Sequence, residues 1–139
     1  MLTLLESQSV PTYSSKGAQV NVLDSIIMCT ADKDLATTKF ACFAVGNSAF
    51  HSRALYPLLA ASVEPLTAAL SSEDEKTRAN AAGALGNLVR NGNELCKSIV
   101  DSGAIRKLIL MVRDDLAMSP QRIALFSLGT LASHTICRA

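Results

Sequence analysis

The sequence predicts an all-α solenoid fragment of about three repeats, and three observations carry that prediction. First, a ten-residue phrase recurs, as KFACFAVGNS from Lys39, ANAAGALGNL from Ala79 and RIALFSLGTL from Arg122. In register, small or apolar residues coincide at Ala41/Ala81/Ala124 and Val45/Leu85/Leu128. Glycines coincide at Gly46/Gly86/Gly129, and a polar side chain follows each time: Asn47, Asn87, Thr130. Second, the spacing is 40 residues from Asn47 to Asn87 and 43 from Asn87 to Thr130, the period of helical repeats that stack side by side. Third, hydrophobic residues make up 49% of the 139, yet aromatics only 4%, and tryptophan is absent. A core of Leu, Ala, Val and Ile suits closely packed helices better than a sheet.

Each element follows from local signals. Residues 1–19 are the least periodic and read as a linker or the end of a preceding repeat, with Met1–Leu5 as the tail of an earlier helix. Val20, Leu23, Ile26 and Ile27 recur at steps of three and four, which predicts a helix over 19–30. The first copy of the phrase occupies a helix from about Asp34 to Phe50, and a shorter helix follows at Ala54–Ala61 with Pro57 in its first turn. The second unit runs through Val63 and Pro65–Leu70. Ser72 and Glu75 then read as a capping box, and the acids 73–75 suit the positive end of a helix dipole. That helix is expected to reach Arg90 and stop at Asn91-Gly92, with Gly92 left-handed and Asn93 capping Glu94–Asp101. In Asp101-Ser-Gly-Ala-Ile105 a glycine stands where two helices meet sharply. Ile105, Leu108, Ile109 and Val112 mark the next apolar face. Ser119-Pro120 reads as an N-cap followed by proline at the first helical position, opening a last helix to about Ser133 or beyond. The units fall at about 20–61, 62–101 and 102–139, each a short helix, a turn, a second helix, a loop and a long third helix.

Three helices per unit with a small-residue turn between the first two resemble armadillo repeats. DSGAIRKLILMV at 101–112 is similar to the start of an armadillo second helix, and GALGNLV at 83–89 to its third. The fold class is therefore an all-α, armadillo-type α-solenoid. In that family the third helices line a concave groove, and an asparagine there holds the backbone of an extended peptide. Asn47 and Asn87 fall on the motif position, whereas Thr130 departs from it. The family's tryptophan position, four residues earlier, holds Phe43, Gly83 and Phe126. FAVGNSAFHSRALYPLLAASVEPLTAAL at 43–70 and RANAAGALGNLVRNG at 78–92 also resemble the C-terminal region of Fused-type serine/threonine kinases. That resemblance covers roughly 40–100. It implies the non-catalytic regulatory end of such a kinase. It also implies links to kinesin-like proteins, to axonemes or division apparatus, and in animals to hedgehog signalling, with a cytoplasmic, cytoskeletal or ciliary location.

The residues offer little chemistry. No glycine-rich phosphate loop is present, nor any VAIK-, HRD- or DFG-like string, so kinase catalysis is not expected here. Gly83 and Gly86 lie inside a helical pattern with no preceding strand, which points to close helix packing. His51 and His134 belong to no ligand cluster; Cys42/His51 and Cys137/His134 lack a positive field that would favour a thiolate. The four cysteines form no CxxC pair and read as buried, reduced thiols of an intracellular protein. The N-terminus has neither a basic nor a long apolar region, so no secretory signal is read, and no apolar run suffices for a membrane span. A net charge of +1 argues against nucleic-acid or membrane binding by bulk electrostatics. No cofactor or metal is expected.

Helical geometry defines the expected groove. Residues at i−7, i−4, i and i+3 share a side. Around Asn47 these are Phe40, Phe43 and Phe50; around Asn87 they are Asn80, Gly83 and Arg90; around Thr130 they are Ile123, Phe126 and Ser133. The groove residues are thus Phe43, Asn47, Asn80, Asn87, Arg90, Phe126 and Thr130. The stripe Ala81/Leu85/Leu88 should be core. Two alternatives stand beside this: the asparagines merely bond loop backbone, or Phe40, Phe43 and Phe126 belong to the core. The function expected is protein–protein interaction through the groove. The alternative is an assembly element that stacks end to end or self-associates weakly through Leu125, Leu128 and Leu131.

Overall fold

Two aspartates start two long helices in the same way. Asp34 Oδ2 accepts hydrogen bonds from Thr37 N at 2.8 Å and Thr37 Oγ1 at 2.7 Å, and Asp74 Oδ2 accepts from Thr77 N and Oγ1 at the same distances. Each N-cap satisfies orphan donors of the first turn. These caps open α2 (Leu35–His51) and α5 (Glu75–Asn87) in a computed structural model that describes residues 16–138, with side chains from Val22 onward. The capping box expected at Ser72 is therefore displaced by two residues. Ser72 Oγ instead accepts from Asp74 N at 3.2 Å and shapes the turn before the cap.

The other elements follow in order. α1 is Lys16–Cys29, α3 is Tyr56–Leu59 between short 3-10 turns at Arg53–Leu55 and Ala60–Ser62, and α4 is Val63–Ala69. α6 is Cys96–Asp101, α7 is Ala104–Asp114, α8 is Met118–Ala132 and α9 is Thr135–Arg138. No strand occurs among the described residues. No helix among them is long and apolar enough to cross a membrane.

Several ends differ from expectation. α1 takes in Lys16 and Gly17, so the linker reading can hold only for residues 1–15, which lie outside the described residues. α5 stops at Asn87 because the chain tightens into turns there, with Val89 N on Gly86 O and Arg90 N on Asn87 O. Gly92 has no positive φ; Gly103 alone does among the described glycines, at 82°. Gly103 sets the sharp α6–α7 corner, which a Cβ would strain. α6 starts at Cys96, one turn past Asn93, whose backbone carbonyl rather than side chain accepts from Cys96 N. α8 begins at Met118 with no side-chain cap, so Ser119 and Pro120 sit inside its first turn. There Asp115 Oδ1 accepts from Ala117 N at 2.9 Å, bracing the entry from two residues before the N-cap.

The long helices α2, α5 and α8 lie side by side, with α5 in the middle. A central helix must be lined on two sides, which explains its composition: Thr77, Ala79, Ala81, Ala82, Ala84, Leu85 and Gly86 are all buried. Small side chains let the flanking helices approach closely. The expected core stripe of Ala81, Leu85 and Leu88 is fully buried, with Val45 and Ala124 at equivalent positions; Leu128 is half-buried. In α1, Leu23 is buried and Ile26 and Ile27 pack on the core, while the Val20 side chain lies outside those described. Short helices complete the core through Tyr56, Leu59, Leu66, Ile99 and Leu108. The architecture is an α-solenoid fragment.

Candidate protein-binding surface

The solenoid is tied across its first junction, α2 to α5, by asparagines that reach back 41 residues. Asn80 Nδ2 donates to Lys39 O at 3.0 Å, Asn87 Nδ2 to Gly46 O at 3.0 Å and Asn91 Nδ2 to Phe50 O at 3.5 Å. The exposed Arg53–Glu94 ion pair, 2.7 Å, keeps the same register. Tyr56, fully buried, donates from its hydroxyl to Asn87 O at 2.8 Å and accepts from Asn91 N at 3.0 Å. It closes the frayed end of α5. Nothing in the sequence marked that role beyond a tyrosine in an apolar run.

Across the second junction, α5 to α8, the ties are different. Buried Ser127 Oγ donates to Ala82 O at 2.7 Å, and His134 Nε2 to Val89 O at 2.6 Å. A carbonyl only accepts, so Nε2 carries the proton. Arg78 pairs with Asp115 through two bonds of 2.6 and 2.8 Å, and the Asp115 side chain is only 5% exposed. Arg78 beside it holds the Asp115 carboxyl below its ordinary range.

The ties leave one face of the three long helices open as a shallow trough. At one end a depression of about 380 Å³ is lined by Lys39, Phe40, Phe43, Lys76 and Asn80. At the other, one of about 300 Å³ is lined by Asn87, Arg122, Phe126 and Thr130. A smaller one between them shares Phe43, Asn80, Gly83, Asn87 and Ile123 with its neighbours and adds Asn47. Gly83 forms part of the floor, and the missing side chain keeps the middle open.

Six of the seven residues named from sequence line this face, and Arg90 does not. Phe43 and Phe126 are 53% and 73% exposed, and Phe40 is 64% exposed, so none of the three belongs to the core. Asn47 is exposed and its amide has no partner among the described residues. Asn80 and Asn87 are half-buried with one amide N–H each committed to the α2 backbone. Asn87 therefore both bonds its own fold and lines the trough. Thr130 is half-buried, its hydroxyl turned to Phe126 O at 3.4 Å. Arg90 lines none of the three depressions; its guanidinium lies 4.2 Å from the centre of the Phe50 ring, which lines none of them either. Sequence reasoning missed Lys39, Lys76 and Arg122 as trough residues, although one helical turn along each phrase would have reached them.

The cysteines and histidines show no sign of a reactive centre. Burial pushes the Cys42 thiol up to about 11, and burial together with neighbouring Cys137 pushes Cys96 up to about 12, so both are protonated near neutrality. His51 packs edge-on against Phe50, and His134 is engaged with Val89. No group of three or more His, Cys, Asp and Glu among the described residues is arranged to hold a metal.

Comparison with known proteins bears on the fold and its relatives. A HEAT-like repeat family matches residues 39–88, from the first phrase to the end of the second. The chain is similar to serine/threonine-protein kinase TIO of Arabidopsis thaliana, 49% identical over 81 residues, which is 49% of this chain and 6% of that protein. It is also similar to serine/threonine-protein kinase 36 of Mus musculus, 35% identical over 135 residues, covering 97% of this chain and 10% of that kinase. The chain thus spans a tenth or less of the length of these relatives. Two engineered proteins in crystal structures from the Northeast Structural Genomics Consortium superpose with TM-scores of 0.74 and 0.75. Both are 26% identical over 80% of this chain, and the match covers 46% and 45% of theirs.

Proposed function

We propose that this chain is a protein-interaction module whose trough accepts a segment of a partner, and that its repeats are armadillo-type, in units of about 20–61, 62–101 and 102–139. The observation that carries the reading is the set of large apolar side chains, Phe40, Phe43 and Phe126, left exposed on a face where asparagine amides also open to solvent. A water-exposed phenylalanine is unfavourable unless something covers it, and apolar anchors beside amides suit a peptide, whose backbone needs both a donor and an acceptor. Asn47 offers both, and the Asn87 side-chain oxygen Oδ1 has no hydrogen bond within the described fold. Likeness to kinases 36 and TIO supports placing the module in the non-catalytic part of a Fused-type kinase. On that reading its partners are kinesin-like or hedgehog-pathway proteins at cytoskeletal or ciliary sites in the cytoplasm.

The test is a selection of displayed random peptides on the folded chain, followed by affinities for a Phe43→Ala/Phe126→Ala variant. The reading expects selected peptides to lose about tenfold or more in affinity, roughly the loss of one well-packed apolar anchor, while the urea midpoint stays unchanged. Peptides that bind both forms equally would overturn it.

A second reading, assembly by stacking, is favoured by the outer side of the third unit. Leu116 is fully exposed, and Ile109 and Leu125 are 51% and 60% exposed. Of the leucines expected at that end, Leu125 fits the reading, whereas Leu128 is half-buried and Leu131 buried. A cation added by Leu125→Lys should abolish any concentration-dependent sedimentation if stacking is the function.

A further inference from the structure

Resting on the interaction reading above, we infer that the partner segment is acidic: the trough fits a peptide that carries Asp and Glu among apolar side chains. The whole chain is nearly neutral, at +1, but its charges are sorted. Lys39, Lys76 and Arg122 line the trough, and no carboxylate lines any of its three depressions.

These cations are unspent within the fold. The ion pairs among the described residues use Arg53, Arg78, Lys97 and Arg113. One acid, Asp74, feels Lys39 and Lys76, but its carboxylate is held by Thr77 at the start of α5. One of the cations lies over a trough phenylalanine instead. Lys39 Nζ is 4.8 Å from the Phe40 ring centre. Such placement keeps the positive charge beside the apolar anchor. A ligand that seats an apolar side chain on this ring therefore brings its next residues against cations, and a carboxylate there gains attraction with no acid of the chain to displace.

A nucleic acid is the other polyanion such a face could meet. Three cations, one on each long helix, are sparse against one charge per phosphate. Asn87 Oδ1 and the free amide of Asn47 also match peptide N–H and C=O groups better than a sugar–phosphate backbone.

The experiment is a parallel selection of displayed random peptides on the parent chain and on the Lys76→Glu/Arg122→Glu variant. Both substituted residues are exposed, and equal urea midpoints check that the variant is folded. The parent should enrich peptides rich in Asp and Glu with spaced aromatic or aliphatic residues. Those peptides should bind the variant at least about tenfold more weakly, and their affinity for the parent should fall as salt is raised. Neutral or basic peptides that depend on Phe43 and Phe126 would overturn the acidic preference and leave the interaction reading standing. Peptides independent of Phe43 and Phe126 would overturn both. Acidic peptides insensitive to the charge reversal, or displaced by oligouridine at concentrations below their own, would overturn the inference.

Discussion

The two junctions of this solenoid join the same kind of helix to the same kind of helix, yet they are tied at different depths. Between α2 and α5 the ties are half-buried or exposed asparagine amides and an exposed Arg53–Glu94 pair, all in one register, with buried Tyr56 closing the end of α5. Between α5 and α8 they are a buried serine, a histidine and a largely buried Arg78–Asp115 pair. Surface ion pairs contribute little to stability, whereas a desolvated, bidentate pair is costly to break. The first junction therefore leaves polar groups available to a ligand, and the second carries more of the stability. Equal spacing in sequence does not imply equal energetics.

The largest expected effect lies at Gly86. A Cβ built there would fall 2.8 Å from Ser127 Cβ and 3.1 Å from its Cα, so backbone, and not only a flexible tip, must move. Gly86→Leu should cost about 3 kcal/mol by overpacking, measured by urea unfolding. Gly46 and Gly129, at the matching positions of the phrase, do not share this contact: a Cβ at Gly46 would sit 3.4 Å from Ala84 Cα, an ordinary van der Waals distance, and Gly129 faces open space. Gly83, one turn before Gly86, has room: its Cβ would meet Ile123 at 3.5 Å. Gly83→Ala should be neutral or stabilise by up to about 1 kcal/mol through helix propensity. Equal losses at Gly83 and Gly86 would break the account of the second junction.

Next in size is Arg78→Ala, at about 2 kcal/mol, because it leaves the Asp115 carboxylate nearly buried without its partner. The pH dependence follows. Hydrogen bonds from Arg78 hold Asp115 below its ordinary range in the folded chain, so the unfolded chain binds the proton more tightly and stability rises with pH. That contribution is complete above the ordinary carboxylate range and is lost as pH falls through the lowered folded value. Urea titrations from neutral to acid pH should show a shallower loss in Arg78→Ala than in the parent.

Smaller still is Asn87→Ala. A side chain that only lined the groove would leave folding nearly unaffected, as for a surface residue. With Nδ2 bound to Gly46 O, the loss becomes about 1 kcal/mol. Phe126→Ser, on an exposed side chain, should change stability within about 0.5 kcal/mol. If Phe126→Ser proved the more destabilising of the two, the trough would be part of the core.

How far the sequence could be read follows from which forces act locally. The long helices were legible because the phrase repeats with helical spacing, and the buried stripe came with it. Gly103 was legible because only glycine suits so sharp a corner. Caps were misplaced at Ser72 and Ser119 because several hydroxyl and carboxylate residues stand together, and only the path of the chain selects among them. The phenylalanines could not be assigned to core or surface in advance: a helix face is exposed or covered according to its neighbours, not its own pattern. For the same reason the asparagine ladder was invisible, since the acceptors Lys39, Gly46 and Phe50 are backbone carbonyls 41 residues away.

The central claim is that partners bind the trough, and side-chain methyl groups report on it directly. Ile123 lines all three trough depressions, while Ile109 is exposed on α7 and lines none of them. In methyl-labelled protein titrated with a peptide selected by display, the account predicts that the Ile123 signal shifts or broadens and Ile109 stays in place. Movement of Ile109 with Ile123 unchanged would contradict it.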